Sequence, residues 1–191
     1  GADEIDGRGL ALLPGLIDRL SAQTGLGVAV LGMVGTTVQI FTWRSGKWPL
    51  RTSHTEGLCG GKQENLTDSA PGLLLLSTVP QPRRDGLLRR LNAEAAPERK
   101  FVGAEMAMRI QQCLDLGYVH GVAGFGSIAD ATAVLLPDQP TGQPLAIALI
   151  YEPSEQIDVD GLRQTLQDAI ARSSYERPQQ SAPVELLAGA A

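Results

Sequence analysis

Four consecutive leucines, Leu73 to Leu76, follow directly on Asp68-Ser69-Ala70-Pro71-Gly72. That order supplies a helix cap, a proline tolerated in a first helical turn, and then a segment apolar on every side. A helix of this kind has no face to offer water, so it is expected to be buried. Pro80 and Pro82 are placed to end it.

The flanking segments can be read for what would bury it. Leu13, Leu16, Ile17 and Leu20 recur at the spacing of one helix face, with Pro14 in the first turn and Gly25 placed as a stop. From Val28 to Trp43 the residues are β-rich and break at Val34-Gly35-Thr36, which predicts a hairpin. Within it Val38, Ile40 and Thr42 alternate with Gln39, Phe41 and Trp43. Residues 44–63 are rich in glycine and polar residues and read as a long connection, with one short strand around Leu50 to Ser53. After the leucine-rich helix, a second helix is expected over Asp85 to Asn92 and a mobile connection over residues 93–100. A third helix carries Met106, Ile110, Cys113 and Leu114 and is closed by Gly117. Strands are expected near Tyr118 to Val122, Ile128 to Leu136 and Leu145 to Tyr151, the last two joined by a turn over Pro137 to Gly142. Leu162, Leu166, Ala169 and Ile170 mark a closing helix. Strands segregated in this way point to an α+β class, an antiparallel sheet with helices laid against it. The polar end of the chain is expected to be a disordered tail over 175–191.

Composition narrows the function classes. The longest apolar runs are far shorter than the roughly 18 to 20 residues that cross a bilayer, so no membrane partner is expected. A net charge of −5 weighs against nucleic-acid binding by this segment, because duplex affinity needs clustered Lys and Arg. Arg83, Arg84, Arg89 and Arg90 are interrupted by Asp85 and read as a solvated helix face. Two cysteines, Cys59 and Cys113, are too few for a disulfide framework and suit a reducing compartment, read as the cytoplasm. With His54 and His120 they make a sparse, scattered donor set, and neither a metal nor a cofactor is expected. The opening Gly1-Ala2, without Met, reads as a cut end, and the chain as a fragment.

Little in the sequence looks like catalytic machinery. No Gly-x-Ser-x-Gly elbow occurs, and Gly124-Phe125-Gly126-Ser127 lacks the third glycine and the Lys-Ser/Thr ending of a phosphate loop, so a simple turn accounts for it. A hydrolase or lyase using Ser69, His120 and Asp130 remains as an enzyme alternative, without a base and nucleophile that spacing can pair. The small residues Ser69, Ala70, Pro71 and Gly72 leave backbone N–H groups accessible to an acidic ligand, or Ser69 simply caps its own helix. Asp130 is a carboxylate in an apolar strand, either part of a site or facing outward.

These residues also carry a family likeness. Gly61 to Ser77, with Leu66, Ser69-Ala70, Gly72 and Leu74 to Leu76, resembles the segment of IclR-type transcription regulators in which Pro-Leu leads to Thr-Ala-x-Gly-Lys and a leucine-rich helix. Leu114 to Tyr118 resembles the family's Ile-x-x-x-Gly-Tyr, Gly126 to Val134 its glycine and Ala-rich strand, and Leu145 to Ile150 its Ala-rich last strand. With the opening helix and Thr24-Gly25, the likeness spans residues 8–174. The resemblance implies a GAF-like effector-binding domain, non-catalytic and found in dimers and tetramers, that senses a small organic acid or aromatic effector. It implies that DNA is contacted only through a separate N-terminal winged helix-turn-helix domain, absent from this chain. Carried over residue by residue, it puts Ser69, Ala70, Pro71 and Gly72 at the floor of the effector pocket, Gly121 and Ala129 on one wall, and Leu149 and Tyr151 on the other, with Asp130 as a further polar anchor. Leu73 stands where the family has Lys, Pro71 adds rigidity, and Ala133 stands where Pro is common. Leu149 and Tyr151 occupy positions that tend to be polar, so the implied pocket is either suited to an aromatic ligand or degenerate, leaving a ligand-independent dimerisation module.

Overall fold

A computed structural model of the chain describes residues 13–47, 56–154 and 156–175, without the side chains of Glu56, Cys59, Ser174 and Tyr175. Helix α1 (Leu13–Thr24) leads into the hairpin β1 (Gly27–Val34) and β2 (Thr37–Arg44). A 3-10 turn (Glu56–Cys59), the short strand β3 (Gln63–Asn65) and a second 3-10 turn (Leu66–Asp68) then lead to α2 (Ala70–Leu76). Helices α3 (Arg83–Glu94) and α4 (Gly103–Leu116) follow, with a 3-10 turn (Pro97–Arg99) between them. Strands β4 (Tyr118–Val122), β5 (Asp130–Leu135) and β6 (Leu145–Tyr151) and helix α5 (Val159–Tyr175) complete the order. The class is α+β. Six strands form one curled sheet in the order β3-β2-β1-β6-β5-β4, and every neighbouring pair is antiparallel.

Two apolar layers cover the two faces of this sheet. On the outer face Leu13, Leu16, Ile17 and Leu20 of α1 and Leu166 and Ala169 of α5 pack on Val28, Val30, Val134, Ile147 and Leu149. On the inner face Leu73 to Leu76 of α2, backed by Met106, Ile110 and Cys113 of α4, pack on Ala29, Leu31, Ala131, Ala133, Ala146, Ala148 and Ile150. All seven residues of α2 are buried. The alanines directly beneath it are what let a helix made of leucines approach the strands, since each replaces a larger side chain at the contact.

Several expected elements take a different form. Helix α2 stops at Leu76, before the prolines, because the hydroxyls of Ser77 and Thr78 donate to the carbonyls of Leu74 and Leu75 at 2.5 and 2.7 Å and finish the turn. Residues 93–100 are held rather than loose. Lys100 donates to the carbonyls of Asn92 and Ala93, and the Asn92 side chain pairs with both backbone groups of Phe101. Leu114, expected on the buried stripe of α4, is 50% exposed. In β2 the register shifts opposite Val30 and Leu31, where Phe41 is the extra residue. Ile40 and Val38 therefore stay on the inner face, while Thr42, paired with Val30, moves to the outer one. A Cβ on Gly32 would meet the Phe41 ring at 2.1 Å, so Gly32 makes room for the bulged side chain. The strand expected near Leu50 to Ser53 and the tail beyond Tyr175 lie outside the described residues.

Because α2 is enclosed on all sides and α4 only on one, truncation should separate them. Leu74→Ala is expected to cost about 2 to 5 kcal/mol, and Leu114→Ala less than about 0.5 kcal/mol, measured by urea unfolding. Equal losses would contradict the packing described.

Candidate functional site

The start of α2 is where the inner layer reaches the β4–β5 loop. Ser69, in extended backbone, is the N-cap: its hydroxyl accepts the Gly72 N–H at 3.1 Å, and its carbonyl accepts the Leu73 N–H at 3.2 Å. Pro71 brings no N–H, so the polar groups of this first turn are largely satisfied within the helix itself. Ser69 and Ala70 are 2% and 1% exposed. Gly72 is packed so closely on the preceding turn that a Cβ would lie 2.1 Å from the Leu66 carbonyl oxygen. A Cβ on Gly121 would lie 3.2 Å from that of Ala70. Ala129, 1% exposed, closes the loop through its carbonyl, which accepts the Ala123 N–H at 2.9 Å. Ser69, Ala70, Pro71, Gly72, Gly121 and Ala129 therefore lie together on the inner side of the sheet.

Leu149, Tyr151 and Asp130 do not join them, which corrects the expected second wall. Side chains along a strand alternate between faces. In β6 Ala146, Ala148 and Ile150 face α2, so Leu149 and Tyr151 face outward with Ile147 toward α1 and α5. Tyr151 is buried there, and its hydroxyl pairs with Thr132 at 2.7 Å. Burial, opposed by that hydrogen bond and aided by the Asp130 charge, pushes the phenol upward in pKa. Asp130 pairs with Tyr151 across the ladder and shares its face. The strand residues that do lie beneath α2 are Ala131, Ala133, Ala148 and Ile150. The same alternation separates the enzyme alternative. His120, opposite Thr132, shares the outer face with Asp130, while Ser69 lies on the inner side.

The site also contains a carboxylate that sequence reasoning missed. Glu64 of β3 accepts the Phe125 N–H on Oε2 at 2.8 Å. Its other oxygen, Oε1, is buried and has no hydrogen-bond partner among the described residues. Burial, aided by Asp68 and opposed by the Phe125 hydrogen bond and by Arg99, pushes this carboxyl up to about 7 from 4.5. The loop receiving it runs through Gly124, Phe125 and Gly126, all at positive φ. A Cβ on Gly124 would fall 2.1 Å from Glu64 Oε1 and 2.7 Å from the Ser69 Cβ. Gly124-Phe125-Gly126 was the available signal, although two glycines around an aromatic residue mark a tight turn without naming the group it receives.

Elsewhere the chemistry is sparse. Among the described residues no three His, Cys, Asp or Glu side chains gather closely enough to hold a metal ion. Cys113 is buried and its thiol is pushed up to about 11 by that burial, which favours an inert core thiol. No helix among the described residues is long and apolar enough to cross a membrane. An open groove of about 510 Å³ lies between α3 and α4 at Leu88, Asn92, Phe101 and Ala107, and a crevice of about 460 Å³ lies at Met33, Val79, Leu135 and Pro140. Neither is lined by the residues at the start of α2.

Comparison with solved structures identifies the fold. The chain is similar to the effector domain of the transcriptional regulator IclR from Acinetobacter sp. ADP1, with a TM-score of 0.71 at 22% identity, covering 86% of this chain and 94% of that one. It is similar to the Thermotoga maritima IclR, with a TM-score of 0.70 at 12% identity over 90% of this chain and 69% of that one. An IclR homolog from Microbacterium hydrocarbonoxydans, complexed with 4-hydroxybenzoate, aligns with a TM-score of 0.65 at 16% identity over 89% and 70% of the two chains. These neighbours are transcription regulators. No protein-family model matches the chain, and no curated protein matches it significantly. The chain has the fold of the IclR-family effector domains.

Alanine at two glycines of one loop separates packing from backbone strain. Gly126, at φ 74°, has open space where a Cβ would go, so Gly126→Ala should cost about 1 kcal/mol from the backbone alone. Gly124→Ala adds the collisions with Glu64 and Ser69 and should cost at least about 1 kcal/mol more. Chemical denaturation of both variants checks the difference, and indistinguishable stabilities would contradict the close approach.

Proposed function

We propose that this chain is the effector-sensing and oligomerising domain of a bacterial IclR-type transcription regulator. The observation that carries the reading is the alignment over nearly the whole of an isolated effector domain. A small organic acid or an aromatic compound is the effector, as 4-hydroxybenzoate is the bound molecule in one structural neighbour. The site lies where the first turn of α2 meets Gly121, Ala129 and the β4–β5 loop, which brings Glu64 to it and leaves Leu149, Tyr151 and Asp130 outside. The domain is non-catalytic and needs no cofactor. It acts in the cytoplasm as a dimer or tetramer, and DNA is contacted through a separate domain.

Sensing requires a ligand that prefers one arrangement of the domain, since equal affinity for both shifts nothing. In the arrangement described, the first turn of α2 is tightly packed. An effector therefore has to prefer a state in which the β4–β5 loop stands away from Ser69 and Ala70. The same closure favours a second reading, a ligand-independent dimerisation module, because the Ser69 hydroxyl is already engaged by Gly72.

Thermal shift against a panel of small carboxylates and aromatic compounds, 4-hydroxybenzoate included, distinguishes the two. A genuine effector at about 100 times its Kd should raise Tm by roughly 5 °C or more, and Ser69→Leu should abolish the shift. Silence across the panel, with the oligomeric state of the unaltered chain the same with and without every compound, would favour the dimerisation module.

A further inference from the structure

Strands β3 and β4 are the two edges of the sheet. Laid flat, five inter-strand steps of about 4.8 Å would put them roughly 24 Å apart. Yet Glu64 on β3 hydrogen-bonds the backbone of Phe125, three residues beyond the end of β4. The curl of the sheet brings its two ends together over the first turn of α2, and this carboxyl spans the gap. The neighbouring contact is tight as well: a Cβ on Gly57 would lie 1.8 Å from the Phe125 carbonyl oxygen. Phe125 itself sits at φ 59°, a conformation non-glycine residues rarely adopt, so the loop is bent to meet what it touches.

The contact is built from one satisfied oxygen and one bare one. Oε2 has the Phe125 N–H, whereas Oε1 lies buried against Gly124 with no partner among the described residues. A buried carboxylate oxygen without a hydrogen bond is costly when charged and much less so when the group carries a proton. The elements packed around it bring little compensation. Val38, opposite Glu64 in the ladder, is apolar, and neither Ala123 to Ser127 nor Ser69 to Gly72 includes a titratable side chain. The described charges acting on Glu64 are Asp68, which disfavours ionisation, and Arg99, which favours it.

We propose that Glu64 is a proton-dependent latch, whose hold on the two ends of the curled sheet weakens as the pH rises and the carboxyl ionises on opening. The latch is a property of the fold and operates whether or not an effector binds, although it lies against the proposed effector site. The sign follows from burial. The closed state retains the proton up to about pH 7, while an opened, hydrated carboxyl loses it near 4.5. Closure is therefore fully supported below the lower value, weakens through the interval and levels off above the upper one.

Two readings on the unaltered chain test this without a variant. Carbon-detected NMR of the Glu64 carboxyl should give a titration midpoint near 7. Amide exchange of Ala123 to Ser127, corrected for the intrinsic pH dependence, should lose protection by roughly tenfold per pH unit between about pH 5 and 7. In Glu64→Gln, which keeps an acceptor for Phe125 but cannot ionise, the protection should stay flat with pH. A carboxyl midpoint near the ordinary value of about 4 would overturn the latch. So would loop protection that ignores pH in the unaltered chain, or the same pH dependence in Glu64→Gln. The two wild-type readings decide the matter even if Glu64→Gln fails to fold.

Discussion

The constraint behind this architecture is a helix with no polar side. Seven residues ending in four leucines must be enclosed completely, and a flat sheet encloses only one face of a helix. The sheet meets the demand by curling, with alanines at the strand positions under α2 and α4 packed behind it. Curling then brings residues at opposite edges of the sheet into contact, which is how Glu64 and Phe125, 61 positions apart in sequence, come to share a hydrogen bond. The candidate site is thus a by-product of enclosing α2: it forms where the two ends of the curl meet the cap of the helix.

What was legible in the sequence were the elements whose patterns are local. The apolar spacing of α1, the Val34-Gly35-Thr36 break of the hairpin, the Ser69 cap and the Gly117 stop each encode their structure within a few residues. The α+β class followed from their order. What was not legible depends on contacts made elsewhere. Strand β6 is buried on both faces, so its sequence carries no alternation to say which residues face α2. Placing Leu149 and Tyr151 by family likeness put them on the wrong side, where parity alone decides. The bulge at Phe41 is similarly silent, since only the pairing with β1 reveals that Thr42 has changed face. Glu64 lay in a stretch that reads as polar connection, and its role exists only because a loop from the far edge reaches it.

The structure also recasts what sensing would mean here. The Ser69 hydroxyl is taken by the Gly72 N–H, and Gly72 and Gly124 each leave no room for a side chain. A site so closed is governed by how readily the β4–β5 loop and β3 separate from α2. A fully enclosed helix thus lies beside a closure made of strained backbone and an incompletely paired carboxyl. Three of the closure's residues are at positive φ, and one of its carboxyl oxygens has no described partner.

Native-state hydrogen exchange across a series of sub-denaturing urea concentrations measures the enclosure of α2 most directly. The account predicts that the amides of Leu74, Leu75 and Leu76 exchange only through global unfolding, with the same opening free energy and urea dependence as those of Ala148 and Leu149 in β6. Exchange of the α2 amides at a markedly lower free energy, with little urea dependence, would contradict the claim that enclosure of this helix organises the fold.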